Sequence, residues 1–530
     1  MTFTISVHTM FSAQRLAVAL SLLTLGYLTL PVLVFLAGWL WWPWALALTA
    51  LTVTAFGILA KRILATPNLT GVRVDALVPW HTLLFSLLPL SAITLISGVG
   101  GYGPGNIDWV KHHAVLYDLT SQPWPVIYSL PGGRAALVYN VAYYLPAAVV
   151  GKAFGWAAAN HALFATTLLG AWLVSLWLVV FCPRHALLAV GVFTFFSGMD
   201  SLGFLLHFPV PHRIDFLLHQ THIDWWTAAW QLPSHLTGIF WSPQHTFAAW
   251  LATALLLHVY WRDCHFGVEW FLIALLLFWS PFVAMGALPF VWVIRHMRTA
   301  PMPEAAPRTR WDRVPALAAI ALAIVGILFY AAHYPEIPSD QFGVPQPATT
   351  PANGFFFAAK PPTQPSEWSA ALQDYVICAA LEFGLLAMVL TANRHALVPR
   401  ERRVLLVSTL FLLGLMLFRY GFYNDLVMRA SLPALFALSL LLVLALPQIR
   451  TPASRTIIAL IFAFGMFTPL LSIRGNVESL SRAPSLWRCP QGIHLTVAAS
   501  HYRRDYPLVL AQYLARTENI FFRVFAKSTP

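Results

Sequence analysis

The amino-acid sequence predicts an all-α polytopic membrane protein with about 13 transmembrane helices. Of its 530 residues, 58% are hydrophobic and only 10% are charged, against about 25% charged residues in soluble domains. Uncharged runs such as 16–40 and 76–98 also exceed the roughly 20 residues that a helix needs to cross a bilayer. A stack of ordinary soluble domains is therefore excluded.

Apolar runs of this kind define the candidate membrane helices. In chain order they cover residues 16–40, 44–60, 76–98, 158–181, 185–203, 244–261, 266–282, 283–297, 314–331, 369–392, 403–418, 431–447 and 456–473. The first run lacks the cleavage site of a secretory signal, so we expect it to stay as an anchor.

The stretch 137–155 is apolar but carries tyrosines, Asn140 and Lys152. This amphipathic pattern predicts a juxtamembrane helix on the membrane surface and not a further span. Counting it as a span would move the basic clusters 295–313 and 394–403 to the outer side, against the usual charge asymmetry.

Charge then orients the chain. With the N-terminus in the cytoplasm, 17 of the 32 Lys and Arg residues fall on the inner side, and eight of the 15 outer ones lie in the segment 474–530. Basic turns inside and long loops outside predict a multi-pass protein of the bacterial inner membrane with an extracytoplasmic C-terminus. The net charge of +12 is explained by these turns, so nucleic acid is not an expected partner.

The predicted organisation is a transmembrane domain over 1–473 and a small extracytoplasmic segment over 474–530. Its outer loops cover 99–157, 204–243, 332–368 and 419–430. The loop 335–366 is rich in Pro, Gly, Thr and Ala and is typical of a mobile cover. All long polar segments thus face one side.

The first outer loop carries the leading catalytic candidate, Asp108. Glycines allow tight turns before it, and a helix over 107–119 places Asp108 and His112 on one face, beside Lys111 and His113. A carboxylate there can accept a proton from a hydroxyl, while Lys and His bind a phosphate leaving group; Asp118 extends this substrate-binding set. The alternative is an Asp that caps an interfacial helix, with His and Lys at the lipid headgroups.

The second outer loop and the two residues after it hold six histidines, from His207 to His245. His219, His222 and Asp224 are candidate ligands for a divalent cation, although no known zinc spacing is present. The loop also suggests sugar recognition, with aromatic faces for pyranose rings and polar groups for hydroxyls. The residues concerned are Trp225, Trp226, Trp230, Trp241, His222, Asp224, Gln244 and His245. An aromatic belt at the membrane interface is the alternative.

Two further features are polar residues near or within spans. Arg419 and Arg429 flank a short outer loop, where they could bind a lipid phosphate or, for Arg429, pair with Asp425. Glu382 lies near the middle of a span, which fits either a transport path or a protonated core glutamate. The four scattered cysteines support neither a disulfide framework nor a thiolate metal site.

These features resemble one known family pattern. Asp108, then Trp124-Pro125, then the juxtamembrane stretch from Tyr139 to Phe154-Gly155 and the following span are similar to the GT-C superfamily of membrane glycosyltransferases. The likeness covers about 75 residues in detail and the rest by topology. Two helices precede the one that leads into the acidic loop, where the family usually has one, and Trp109 follows Asp108 where a second acid is common.

The resemblance implies an inverting glycosyltransferase that moves a sugar from a polyprenyl-phosphate donor to a glycan or lipid acceptor on the outer face of the membrane. Asp108 would be the base, and Lys111 with Arg419 or Arg429 would hold the phosphate. No cofactor is assigned, and a divalent cation is left open. The alternatives are a carrier or flippase for a lipid-linked or anionic solute, and an outer-face polysaccharide polymerase or ligase.

Overall fold

The chain is mainly helical in the computed structural model. The structure describes residues 10–65, 77–130, 133–207, 213–227, 229–264, 266–297, 310–334, 353–356, 365–421, 423–482, 485–498, 510 and 512–527. Within these ranges six helices are long and apolar enough to cross a bilayer. The chain is a multi-pass helical membrane protein, as the composition predicts.

The helices are numbered in chain order. They are α1 Ala13–Trp39, α2 Trp42–Leu64, α3 Trp80–Leu95, α4 Asp108–Ser121, α5 Leu145–Phe154, α6 Trp156–Phe181, α7 Ala186–Thr194, α8 Asp200–His207, α9 Arg213–Leu218, α10 His235–Trp241 and α11 Pro243–Trp261. They continue as α12 Glu269–Trp279, α13 Pro281–His296, α14 Val314–Tyr330, α15 Pro365–Ala379, α16 Leu385–Ala392, α17 Pro399–Leu415, α18 Asp425–Ala430, α19 Leu432–Ala445, α20 Pro452–Gly465, α21 Phe467–Ser481 and α22 Leu495–Ala498.

Three small antiparallel ladders tie distant parts of the chain together. β1 Met10–Ser12 pairs with β2 Leu77–Pro79, and β5 Gly354–Phe355 pairs with β6 Phe418–Arg419. The third ladder joins β3 Ile127–Leu130, β4 Gly133–Leu137 and β7 Leu514–Arg516. The C-terminal residues therefore pair with the first outer loop.

The core lies where α1, α6 and α11 pack against one another. Every residue of α11 from Pro243 to Tyr260 is buried, so this helix is surrounded by protein on all sides. A helix in that position needs no polar stripe, and its sequence shows no amphipathic period. The amino-terminal end of α11 brings Gln244 and His245 to the candidate site.

The predicted span over 185–203 is wrong as a continuous helix. The chain forms α7 and α8 instead, with a non-helical break from Phe195 to Met199. The nine residues of α7 extend only about 14 Å at 1.5 Å per residue, about half of the hydrocarbon core. Ser197 and Gly198 disfavour helix continuation, and the Ser197 hydroxyl hydrogen-bonds to Asp200 Oδ2 at 2.6 Å.

Two other predictions are refined. The apolar stretch 266–297 is indeed two helices, α12 and α13, which meet at Ser280 and are 11 and 16 residues long. The juxtamembrane stretch 137–155 forms only the ten-residue helix α5, preceded by a strand and a 3-10 turn. That length is too short to cross a bilayer.

The residues after the predicted boundary at 474 continue or contact the helix bundle. α21 continues past the predicted boundary at 474 to Ser481. Further on, Phe521 packs against Phe35 of α1 and Phe329 of α14, with ring centroids 6.3 and 5.2 Å away. The predicted mobile cover over 335–366 lies almost entirely outside the described residues.

Candidate functional site

Glycines bend the chain sharply between α3 and α4. Gly101 and Gly103 have φ angles of 81° and 72°, a region that side chains rarely adopt. A Cβ at Gly101 would collide with the Arg488 carbonyl oxygen, and one at Gly103 would lie 2.6 Å from the backbone of Ile96. The loop is therefore packed tightly before it reaches Asp108.

The start of α4 is fixed on the end of α10. Asn106 Oδ1 accepts a hydrogen bond from the Asp108 backbone N–H at 3.0 Å. Asn106 Nδ2 and Trp109 Nε1 both donate to the Phe240 carbonyl, at 2.8 and 3.0 Å. These bonds hold the first turn of α4, and with it Asp108, against the second outer loop.

Asp108 and Lys111 form an ion pair on α4. Lys111 Nζ lies 2.9 Å from Asp108 Oδ2, and the two side chains are 15% and 21% exposed. A solvated surface pair would contribute little to stability, but this pair is largely enclosed and still reachable by solvent. The predicted base is thus partly exposed and lies beside a cation.

His112 points inward from the same helix and is buried. Its Nε2–H donates to the Trp241 carbonyl at 3.0 Å, and its Nδ1 accepts from the Tyr144 hydroxyl at 2.5 Å. Burial lowers the pKa of His112 to about 4, with Lys111 and Arg429 contributing and Asp108 opposing. Both ring nitrogens of this neutral imidazole are therefore engaged within the protein, so His112 positions α4 and does not contact a ligand as predicted.

Arg429 lies on α18, far from α4 in the sequence. Together with Asp108, Lys111, His112 and Tyr144 it forms what we call the cluster. Its guanidinium lies 2.7 Å from Asp425 on α18, and its charge acts on both His112 and Tyr144. Burial raises the pKa of Tyr144 above its usual value; the Asp108 carboxylate adds to the rise and Arg429 opposes it. Asp108 and Arg429 thus both act electrostatically on the Tyr144 hydroxyl.

His222 and Trp241 line the same region from the second outer loop. Their ring centroids are 4.5 Å apart, and burial lowers the pKa of His222 to about 4 although the Asp108 carboxylate opposes this shift. Trp225 donates its indole N–H to the His222 carbonyl at 3.0 Å. Trp225 and Trp241 are each half-buried, so their contact with a sugar ring stays a prediction.

Gln244 and His245 lie in the first turn of α11 and are each only 1% exposed. Gln244 Nε2 donates to the Tyr139 hydroxyl at 3.2 Å, and His245 Nε2 lies 3.5 Å from Asn140 Nδ2. Both side chains join α11 to the turn that precedes α5. Both side chains are buried beside the cluster and do not present a surface for a substrate.

His113 and Asp118 lie further along α4 than Asp108 and Lys111. Burial lowers the pKa of His113 to about 3. Asp118 is fully buried and accepts four hydrogen bonds, from Tyr128, Gln122, His494 and the Leu495 backbone N–H. A carboxylate saturated in this way is structural, so the predicted substrate contact of Asp118 is wrong.

The predicted metal set does not assemble. His219 is mostly exposed and bonds to the Asp215 carbonyl, whereas Asp224 is fully buried and accepts the Ser234 backbone N–H at 3.3 Å. The Asp108 carboxylate acts electrostatically on the His222 imidazole. Across the described ranges, no group of three His, Cys, Asp or Glu side chains is arranged to hold a metal ion.

Three remaining predicted residues have other positions. Arg419 lies half-buried on β6, opposite Gly354 of β5. Trp226 and Trp230 are buried, and their indole N–H groups donate to Glu382 Oε1 and the Met416 carbonyl at 2.7 and 2.8 Å. These two tryptophans serve packing and do not offer faces to a sugar.

The tyrosines of the cluster were missed as site residues. Tyr144 contacts His112, and the tilted rings of Tyr139 and Tyr513 have centroids 4.3 Å apart. The sequence signal was present as four polar aromatic or amide groups between 139 and 144 in an apolar stretch. Because tyrosine is common at membrane interfaces, this pattern predicts an interfacial helix and not a buried tyrosine cluster.

Comparison with known proteins adds no assignment. No family model, curated protein or solved structure matches the chain.

Proposed function

We propose that the chain is a membrane glycosyltransferase that moves a sugar from a polyprenyl-phosphate donor to a glycan or lipid acceptor on the outer face of the bacterial inner membrane. The observation that carries the proposal is a carboxylate with two cationic side chains around it. An accessible carboxylate, Asp108, lies beside the ammonium of Lys111 and shares its neighbours His112 and Tyr144 with the guanidinium of Arg429.

The chemistry of glycosyl transfer fits these groups. The acceptor hydroxyl oxygen attacks the anomeric carbon, its proton passes to Asp108, and the bond from that carbon to the phosphate oxygen breaks. The lipid phosphate leaves with the bonding electron pair, and Lys111 and Arg429 stabilise its charge. Base catalysis of this kind contributes about 10²- to 10⁴-fold, and aligned cations add electrostatic stabilisation.

The charge balance of the cluster favours a ligand with a small negative charge. Asp108 and Asp425 offset Lys111 and Arg429 one for one, and the nearby imidazoles His112 and His222 are neutral at pH 7. A phosphodiester carries one negative charge, so it can share both cations without leaving a large excess of either sign. The lipid chain of such a donor would lie among the surrounding apolar helices.

One observation supports the alternative of a carrier. Glu382 is buried together with Asp200 and Asp224, and acids within a membrane bundle are common in transport paths. The glycosyltransferase remains the better proposal because the accessible polar groups gather around Asp108.

Product analysis separates the two functions. Purified protein in liposomes would receive a polyprenyl-phosphate donor with a radiolabelled sugar and a membrane extract as acceptor. A transferase gives labelled acceptor and free polyprenyl phosphate. A carrier gives intact labelled donor in the opposite leaflet. Recovery of intact donor alone, with wild-type protein and repeated acceptor extracts, would overturn the proposal.

A further inference from the structure

The helix that carries Glu382 is irregular at that residue. Between α15 and α16 the chain forms a π-helical turn, Ala380–Gly384, with Glu382 at its centre. Single π-helical turns inside an α-helix are often found at functional positions. The Met199 backbone N–H donates to the Leu381 carbonyl at 3.0 Å, which joins this turn to the break between α7 and α8.

Gly198 allows the two segments to approach closely. A Cβ at this position would collide with Glu382 Oε2 and would lie 2.9 Å from the Glu382 Cα. Any larger residue would push the Glu382 carboxyl group away from the break. The absence of a side chain at 198 therefore places this carboxyl group next to Asp200, two residues further on.

The donors around these two acids are unevenly distributed. Asp200 Oδ2 accepts hydrogen bonds from Ser197 and Thr468, at 2.6 and 2.9 Å. Glu382 Oε1 accepts one from the Trp226 indole at 2.7 Å. The other two oxygens, Asp200 Oδ1 and Glu382 Oε2, are buried and receive no N–H or O–H donor from the described residues.

The Asp200 and Glu382 carboxyl groups lie within hydrogen-bonding reach of each other. Ionised carboxylates contain only acceptors, so a hydrogen bond between two of them requires a proton on one. Two buried carboxylates at this separation also cannot both be charged. We propose that Asp200 and Glu382 share one proton at neutral pH, and that this pair is a clasp that holds the segment 222–227 against the helix bundle.

The groups around the clasp favour the protonated state. Asp224 lies close enough to Asp200 and Glu382 to repel a negative charge, and the buried Cys378 lies one turn before Glu382 on the same helix. Asp374 acts on that thiol, and His207 on α8 packs at the edge of Trp226, with ring centroids 6.2 Å apart. Ser197 and Thr468, which contact Asp200 directly, are uncharged.

The clasp joins four parts of the chain that are distant in sequence. Asp200 belongs to α8, Thr468 to α21, Glu382 to the π-helical turn, and Trp226 to the second outer loop. His222 lies four residues before Trp226 and next to Asp108 in space. Loss of the shared proton would place two negative charges together, weaken these contacts and release the segment that carries His222.

Infrared spectroscopy of the purified full-length protein tests the shared proton. A protonated carboxylic acid has a carbonyl band distinct from that of a carboxylate. We expect one such band in the wild type at neutral pH, removed by Glu382→Gln and by Asp200→Asn. Because an amide N–H can replace the proton, each variant should fold. The control Glu478→Gln, at an exposed residue paired with Arg474, should retain the band. A band that survives both single variants would overturn the proposal.

Hydrogen–deuterium exchange tests the clasp. Peptides covering 219–227 should exchange at least about tenfold faster in Glu382→Ala than in Glu382→Gln, as expected when an opening becomes more than about 1.4 kcal/mol easier. Raising the pH should accelerate exchange in the wild type more than in Glu382→Gln. Equal exchange in the Ala and Gln variants would overturn the clasp. Neither readout depends on glycosyl transfer, so failure of the proposed function would leave this test intact.

Discussion

The ammonium of Lys111 lies 2.9 Å from the carboxylate of Asp108, one helical turn away on α4. This pair connects the proposed base with a cation for the leaving phosphate. Lys111→Gln should therefore lower kcat/KM by about 10- to 100-fold, since a charge-assisted contact of roughly 1.5–3 kcal/mol is removed. Lys111→Arg should retain more activity. The matched control is Lys61→Gln at the end of α2; an equal loss there would contradict the assignment.

Arg429 should affect the donor more than the acceptor. In the proposed reaction its guanidinium binds the donor phosphate, so Arg429→Gln should raise the donor KM by about tenfold or more and leave the acceptor KM nearly unchanged. Arg474 forms a comparable i,i+4 pair with Glu478 on α21. Arg474→Gln should leave both constants within about twofold. A donor KM that does not change in Arg429→Gln would remove Arg429 from the site.

His112 should make the protein sensitive to acid. Its folded pKa of about 4 lies below the unfolded value of about 6.5. Its contribution to stability is therefore complete above pH 6.5 and is lost as the pH falls towards 4. The shift corresponds to at most about 3 kcal/mol.

Thermal unfolding in detergent between pH 7.5 and 4.5 measures this effect. The wild type should lose stability as the pH falls, and His112→Gln should show a shallower slope. His219→Gln, at a mostly exposed histidine, should keep the wild-type slope. If His112→Gln also keeps the wild-type slope, the neutral His112 imidazole is not the source of the acid sensitivity.

The orientation of the chain can be tested with its own cysteines. Cys182, Cys264 and Cys378 are buried, whereas Cys489 is exposed in the C-terminal segment. If this segment is extracytoplasmic, a membrane-impermeant maleimide should label intact spheroplasts expressing the wild type. Cys489→Ser should abolish the labelling. Labelling that appears only after the membrane is permeabilised would place the segment in the cytoplasm.

Much of the helical architecture could be predicted because composition and run length determine membrane helices directly. α4 was also predictable from local sequence, because glycines precede it and Asp108 stands at its start. The break at Gly198 was not, because it depends on the close approach of Glu382 from a helix far away in sequence.

The candidate site was predictable only in part. Asp108, Lys111 and Arg429 stand out in the sequence as charges beside apolar helices, and in the structure all three act electrostatically on His112. The roles of His112 and Asp118 depend on partners such as the Trp241 carbonyl and His494, which no local pattern reveals. Residue type alone could not distinguish a ligand contact from a saturated structural group.

The most direct test of the account is the steady-state rate of Asp108→Asn in the purified transferase assay. Asparagine keeps the shape of the side chain but cannot act as a base that takes the proton from the attacking hydroxyl group. The account predicts a fall in kcat of at least about 100-fold, with the donor KM within about threefold of the wild type and with unchanged expression and thermal stability. The control is Asp215→Asn, at an exposed residue on α9. Retention of wild-type kcat in Asp108→Asn would contradict the central claim.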